Sequence, residues 1–427
     1  MGILIKNGRF IDPASGTDDR LDIFISEDKI KDIGKNLTAA PGDDVIDAKG
    51  ALVLPGLIDI HVHFREPGRE DVETIIGGSM VAAKSGFTSV CTMPNTKPVI
   101  DNQALVRFII MEAAKGPINV FPTANISKGG KGEEISEMGE LVRGGAVAFT
   151  DDGQPVTNSI LMRRALEYSR MFNVPIIAHS EDKLLVDEGL MNEGLNSNKL
   201  GLSGIPCEAE EVMIARDIIL TRLAKGRLHV CHVSAAGSVE LIRRGKADGI
   251  SVSCETAPHY FALNDDAVEE HLSMAKMNPP LRSEHDRKEI IRGLKDGTIE
   301  VIATDHAPHA LFEKMQEMEY APFGIIGLET AVPLIITELV RNNNFSYIEA
   351  FSKVTCNPSR ILNLGKGELK IGGMADVVII NPDEKIIVDE KFLISKCKNT
   401  PFIGKELYGS IEYTICNGKV VYKREQA

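Results

Sequence analysis

The chain of 427 residues carries 61 Asp and Glu against 48 Lys and Arg, a formal net charge of -13. That balance, with no Lys/Arg-rich cluster, excludes a nucleic-acid partner, whose phosphates most of the surface would repel, and points to a small-molecule ligand. No apolar run reaches the ~18 residues of a membrane span, MGILIKNGRF lacks the charge order and apolar length of a signal peptide, and the seven cysteines are odd in number and widely spaced, so a cytoplasmic protein with reduced core thiols is expected.

The first 54 residues hold short alternating runs, ILIKNG, DIFIS and KIKDI, punctuated by Asp, Gly and Pro. Such runs predict antiparallel strands. From Leu57 onward the pattern becomes strand, loop and amphipathic helix, repeated. Strands are predicted at 57–62, 87–93, 119–124, 146–150, 175–179, 228–233, 250–254 and 300–304. Helical periodicity covers 72–85, 102–115, 134–143, 159–172, 208–225, 237–246, 284–296 and 327–341. Eight alternations in a row predict a (β/α)8 TIM-type barrel rather than an open sheet. After about residue 365 the helical signal fades, and GELKIGGMADVVIINPD, IEYTICNG and KVVYK again read as strands. The expected organisation is an α/β protein with a barrel over 55–364 and one small β-sandwich domain built from both chain ends, 1–54 and 365–427. Chain termini often lie close together, which favours that composite.

Reacting groups of such barrels sit on the C-terminal ends of the strands, so those positions can be inspected directly. LPGLIDIHVHFREPG, residues 54–68, is a short buried strand that stops at a loop. Alternation puts Ile58, Ile60 and Val62 on one side and Asp59, His61 and His63 on the other. A bare His-x-His carries little weight, but other strand ends supply more ligands: Asp151 and Asp152, His179, His232, His259, and Asp305, His306 and His309. Arg65, Asn95 and Asn278 follow strand ends as well. Seven of the ten histidines lie at five such ends. Imidazole and carboxylate at one barrel mouth suit divalent ions, zinc first, and a bridging carboxylate suits a pair of ions about 3.5 to 4 Å apart. Asp151 and Asp152 leave the strand in opposite directions, so only one of them can bridge.

DIHVHFREPG, MPNTKPVIDN, AFTDDG, IIAHSED, HVCHVSAAGS, MNPPLR and ATDHAPH resemble the motifs of class I dihydroorotases, in the cyclic amidohydrolase group of the amidohydrolase superfamily. The resemblance runs through nearly the whole barrel. It implies two Zn²⁺ per subunit, one held by His61, His63 and Asp305, the other by His179 and His232, with Asp152 bridging. It also implies substrate contacts from His63, Phe64, Arg65, Asn95, Asn278 and His309 and from the backbone near Phe323 and Gly324. The implied reaction interconverts N-carbamoyl-L-aspartate and L-dihydroorotate plus water in pyrimidine synthesis. A metal-bridging hydroxide would be the nucleophile and Asp305 the general base and acid. Arg65 would grip the carboxylate of this anionic substrate. Family habit further implies a homodimer and, in some members, association with an aspartate transcarbamoylase.

Two features widen the reading. CETAPHYF, residues 254–261, resembles the corresponding run of allantoinases and hydantoinases, which makes these the alternative activity. Those relatives bridge their metals with a carboxylated lysine on strand four, where AFTDDG has none. A non-catalytic scaffold that supports a transcarbamoylase is the third reading, and the complete ligand set counts against it. Residues 310–324, ALFEKMQEMEYAPFG, are long for a barrel loop and are expected to form a mobile cover over the substrate.

Overall fold

In the computed structural model of the chain, which describes residues 2–425, eight parallel strand positions follow one another round a closed ring. Met1 and Gln426 and Ala427, the outer limits of the expected composite domain, lie outside the described residues. Leu57–Val62 pairs with Phe87–Thr92, and that strand with Asn119–Pro122. Ile176–Ala178, Leu228–Val230, Val252–Thr256 and Val301–Ile302 continue in order. A parallel bridge from His306 back to Val62 closes the ring.

The fourth position departs from expectation, since residues 146–150 form no regular strand. Only Phe149 bridges, to Ala124 on one side and Ile176 on the other. Val147 donates to the Pro122 carbonyl and Phe149 to that of Pro175. Neither proline has an N–H to return, so the bonds back come from Ala124 N–H to the Ala148 carbonyl and Ile177 N–H to the Phe149 carbonyl, around the single bridge.

Helices fill the intervals, and their starts are set by side-chain caps. Thr74, Asn102, Asn158 and Ser283 each accept a backbone N–H of the first turn. The helix expected over 327–341 is α-helical only over Leu328–Leu334 and continues as a π-helix to Asn342. Pro333 lies inside it, and a proline removes one hydrogen bond and crowds the preceding turn. Among the described residues no helix is long and apolar enough to cross a membrane.

Alternation fails in the first barrel strand. Ile58 and Ile60 cluster with Cys91, Ala148, Ile177, Cys231 and Val301, one or two residues from nearly every strand, which only the barrel interior can bring together. Val62 packs in the outer layer with the helices instead. The pairing register shifts between Asp59 and Val62, and this irregularity lets His61 point inward with Ile60.

The chain ends combine into two facing sheets. One runs Lys419–Lys423, Glu406–Cys416, Val377–Ile387, Leu52–Pro55, Arg9–Asp12, Thr17–Asp19, and the other Lys29–Gly34, Asp22–Ser26, Gly2–Lys6, Asp44–Asp47. The N-terminal strands are not purely antiparallel: Gly2–Lys6 runs parallel to Asp44–Asp47, and Arg9–Asp12 parallel to Leu52–Pro55. Val377 and Ile379 fill the core between the sheets, while Val378 and Ile380 on the opposite face pack against the barrel. The first four residues of this strand, Val377 to Ile380, are apolar without a break because both faces are buried there. Residues 389–404 leave the sheet and return to the barrel mouth, where Asn399 Nδ2 donates to the carbonyls of Ala307 and Gly324.

Candidate metal centre and substrate pocket

Four imidazoles surround one carboxylate. Asp152 Oδ1 lies 3.4 Å from His61 Nε2, 3.7 Å from His179 Nδ1 and 3.8 Å from His232 Nε2. Its other oxygen lies 3.6 Å from His63 Nε2. Asp305 approaches from the eighth strand position, with Oδ1 3.0 Å from His63 Nε2 and 3.5 Å from His61 Nε2. His179 Nδ1 and His232 Nε2 face each other at 2.9 Å. All six residues expected as ligands therefore converge, and Asp152 is the one that reaches all four rings.

The cluster fits cations on its own chemistry. His61 Nε2 and Asp152 Oδ1 are buried with no hydrogen-bond partner, a costly arrangement unless something binds between them. Donor atoms of His61, His63 and Asp152 form one tight group, and those of Asp152, His179, Cys231 and His232 another, each within 4.8 Å. The Cys231 thiol donates to the Ala178 carbonyl at 3.0 Å, and burial pushes its pKa well up, so it stays a core thiol. Burial opposes charge on His179, yet Asp152 and Glu181 raise it to about 9. Burial likewise opposes the Asp152 carboxylate, which the surrounding imidazoles hold well below its usual range. The site demands positive charge.

The backbone here is forced. Arg65, His232 and Asp305 adopt φ of 55°, 37° and 48°, the left-handed region that side chains other than glycine rarely enter. Such conformations persist where the surroundings over-determine them, which is typical of functional sites.

Above the cluster lies a cavity of about 410 Å³. His63, Arg65, Asn95, Asp152, His179, His232, Asn278, Asp305, His309, Phe323 and Gly324 all line it. His61 lies beneath, at the floor. Phe64 differs from expectation: its ring is buried in the core, where a Cβ on Gly78 would meet it at 2.4 Å, so only its main chain could face a ligand.

Arg65 Nε donates to the Pro308 carbonyl at 3.2 Å, and Nη2 lies 3.3 Å from His309 Nε2. Glu66 and Glu70 are occupied elsewhere, accepting from the Ile75 and Gly68 N–H groups. Among the described residues the guanidinium has no carboxylate partner. His309 Nε2 is 2.8 Å from the Phe323 carbonyl, which can only accept, so this nitrogen carries the proton and the Arg65 contact is secondary. Burial lowers His309 to about 3, so the ring is neutral.

Several roles differ from expectation. Asn95 does more than face a ligand: its Nδ2 donates to Asp152 Oδ2 at 3.1 Å and its Oδ1 contacts His63 Nδ1 at 3.0 Å, fixing both. Asp151 turns away and accepts from Asn125, Ser127 N and the Ser127 hydroxyl, which leaves Asp152 as the one in the cluster. His306 accepts from the Gly327 N–H at 3.2 Å, a local bond rather than a ligand's position. His259 Nε2 has no such bond and is buried unpartnered. Within residues 310–324 the buried Lys314 ammonium joins the first part of the segment to its end, donating to the carbonyls of Pro322 and Gly324.

Two carboxylates escaped the sequence reading. Glu255 Oε1 lies 2.7 Å from His61 Nδ1, and its other oxygen 3.1 Å from His229 Nε2. It holds His61 with Nε2 aimed at the cluster, the usual arrangement behind a metal-binding imidazole. Glu181 does the same for His179 Nε2 at 3.1 Å and also accepts from Asn278 at 2.9 Å. Both were discoverable, Glu255 at a predicted strand end and Glu181 two residues after His179.

Residues 50–238 match the model of the dihydro-orotase-like family. The dihydroorotase of Geotalea daltonii is 51% identical over 426 residues, covering 100% of both chains. That of Acetivibrio thermocellus is 50% identical over 424 residues, covering 99% of each. Among solved structures, the L-hydantoinase of Arthrobacter aurescens superimposes with a TM-score of 0.89 at 24% identity, over 100% of this chain and 97% of that one. The dihydropyrimidinase of Brevibacillus agri gives 0.86 at 22% identity, over 100% and 96%. These structures share the TIM-barrel fold with its appended β-domain. On the full-length identity to its relatives, the chain belongs to the dihydroorotase family.

Proposed function

We propose that the chain is a class I dihydroorotase, interconverting N-carbamoyl-L-aspartate and L-dihydroorotate plus water with two zinc ions. The observation that carries this reading is one cavity with an imidazole and carboxylate cluster at its floor and an Arg65 guanidinium without a carboxylate on its wall. His61, His63 and Asp305 would hold one ion and His179 with His232 the other, Asp152 reaching both groups. When bound, the ions supply Lewis-acid polarisation of the ring amide carbonyl and lower the pKa of water.

The chain's own residues do the rest. Arg65 grips the ring carboxylate through its free N–H groups, a charge-assisted contact that allantoin, which lacks that carboxylate, cannot make. The neutral His309, beside Arg65, and Asn278 orient the ring. His61 and His63 contact Oδ1 of Asp305, which leaves Oδ2 to take the proton of the attacking water and hand it to the departing ring nitrogen. Burial opposes the charge of Asp305, but His61 and His63 keep its pKa low, so the proton stays only briefly.

The test is elemental analysis of the purified chain, with assays of carbamoyl-aspartate cyclisation, dihydroorotate hydrolysis and allantoin hydrolysis side by side. Zinc together with turnover of the first two is expected. Turnover of allantoin alone would replace this reading with the allantoinase one.

A further inference from the structure

We propose that Lys314 is a positioning residue for substrate binding, its ammonium joining three chain segments into one wall of the pocket. The proposal rests on the dihydroorotase reading of this cavity. Lys314 ends the short helix Leu311–Lys314 and its side chain is 0% exposed. Nζ donates to the carbonyls of Lys276 at 2.7 Å, Pro322 at 2.8 Å and Gly324 at 2.7 Å. An ammonium has three hydrogens, and here all three are used. Its partners include no carboxylate, so carbonyl dipoles alone offset the buried charge, and the loss of one acceptor is costly.

Lys276 repeats the device. Its Nζ donates to Met318 O at 2.5 Å and Ala321 O at 2.7 Å and lies 4.3 Å from the centre of the Phe323 ring. Residues 315–324 form neither helix nor strand. Their buried carbonyls have no ladder to join and need donors from side chains.

The consequence for the pocket is geometric. Asn278 lies two residues after Lys276, whose carbonyl also accepts from the Gly324 N–H at 3.0 Å. Phe323 lies between two residues clamped by Lys314, and its carbonyl accepts from His309. Four pocket-lining residues from three segments therefore take their spacing from one ammonium. The wall has little slack: at φ +119°, a Cβ on Gly324 would lie 2.8 Å from that of Ala307 and 3.2 Å from His309 Nε2. Because Lys314 touches neither the cavity nor the cluster, it acts on how substrate is seated, not on the metal ligands.

The test uses the zinc-loaded enzyme and the variants Lys314→Met, which keeps length and removes the donors, and Lys314→Arg, which restores donors. Zinc content, circular dichroism, amide exchange over 315–325, and kcat and KM for dihydroorotate are measured. For Lys314→Met we expect unchanged zinc and fold, faster exchange in that segment, and KM raised about tenfold or more with kcat changed far less. Lys314→Arg recovers part of the KM. A folded, zinc-loaded Lys314→Met with wild-type KM overturns the proposal, as does a loss confined to kcat. If Lys314→Met fails to fold, Lys276→Met, which breaks only two carbonyl contacts, must show the same KM and exchange pattern or the proposal falls. Should the wild-type chain leave dihydroorotate untouched, the functional reading fails, and amide exchange alone decides whether Lys314 fixes this wall.

Discussion

In the β-sandwich, Ile5, Ile23, Ile25, Val377, Ile379 and Ile415 fill the space between two sheets, and the carboxylates nearby are answered. Asp22 accepts from the Asn7 and Leu37 N–H groups, and Asp376 pairs with Lys366 at 2.6 Å. At the barrel mouth the same kind of short strand ends in His61, His232 and Asp305, two of them in strained backbone, with His61 Nε2 and Asp152 Oδ1 buried and unpartnered. One region spends its residues on satisfied packing and the other leaves polar groups open for something absent from the polypeptide. Substitutions in the first should therefore move stability, and those in the second should move binding and turnover.

The sharpest contrast is Asp305→Asn, which removes the proposed proton carrier while keeping the shape. Turnover should fall about 10²- to 10⁴-fold in steady-state kinetics, with the melting temperature close to wild type. Arg65→Met comes next: KM for dihydroorotate should rise about 100-fold, the loss of two charge-assisted hydrogen bonds, with bound zinc unchanged. Glu255→Gln should weaken zinc affinity about 10- to 100-fold in a competition with a chelator, because His61 loses the carboxylate that orients it. In the other region, Ile379→Ala should cost about 2 to 4 kcal/mol in denaturant unfolding, with turnover per folded molecule unchanged. An Ile379→Ala enzyme that folds normally yet turns over poorly would erase the distinction between the regions.

Periodicity carried most of the fold. The helix read at 284–296 spans Glu284–Asp296, and the composite β-domain was legible because both chain ends alternate. Strand four was not legible as broken, since the cause lies in Pro122 and Pro175, the neighbours whose missing N–H groups leave Phe149 as the sole bridge. The inward turn of His61 beside Ile60 depends on a register shift that no local pattern encodes. Of the site, the groups at strand ends were visible, and the motif resemblance selected Asp152 over Asp151. Contributions from far along the chain were not: Lys314 and Asn399 look like ordinary polar residues until the fold brings their donors to the carbonyls of Gly324 and Ala307.

The proposed reaction requires the six converging residues to hold a pair of cations. The most direct measurement strips the purified chain with a chelator, then follows dihydroorotate turnover while zinc is added back in defined amounts. Turnover should vanish in the stripped chain and return as zinc rises, levelling off at two ions per chain. A metal-free chain that turns over at the full rate would contradict it.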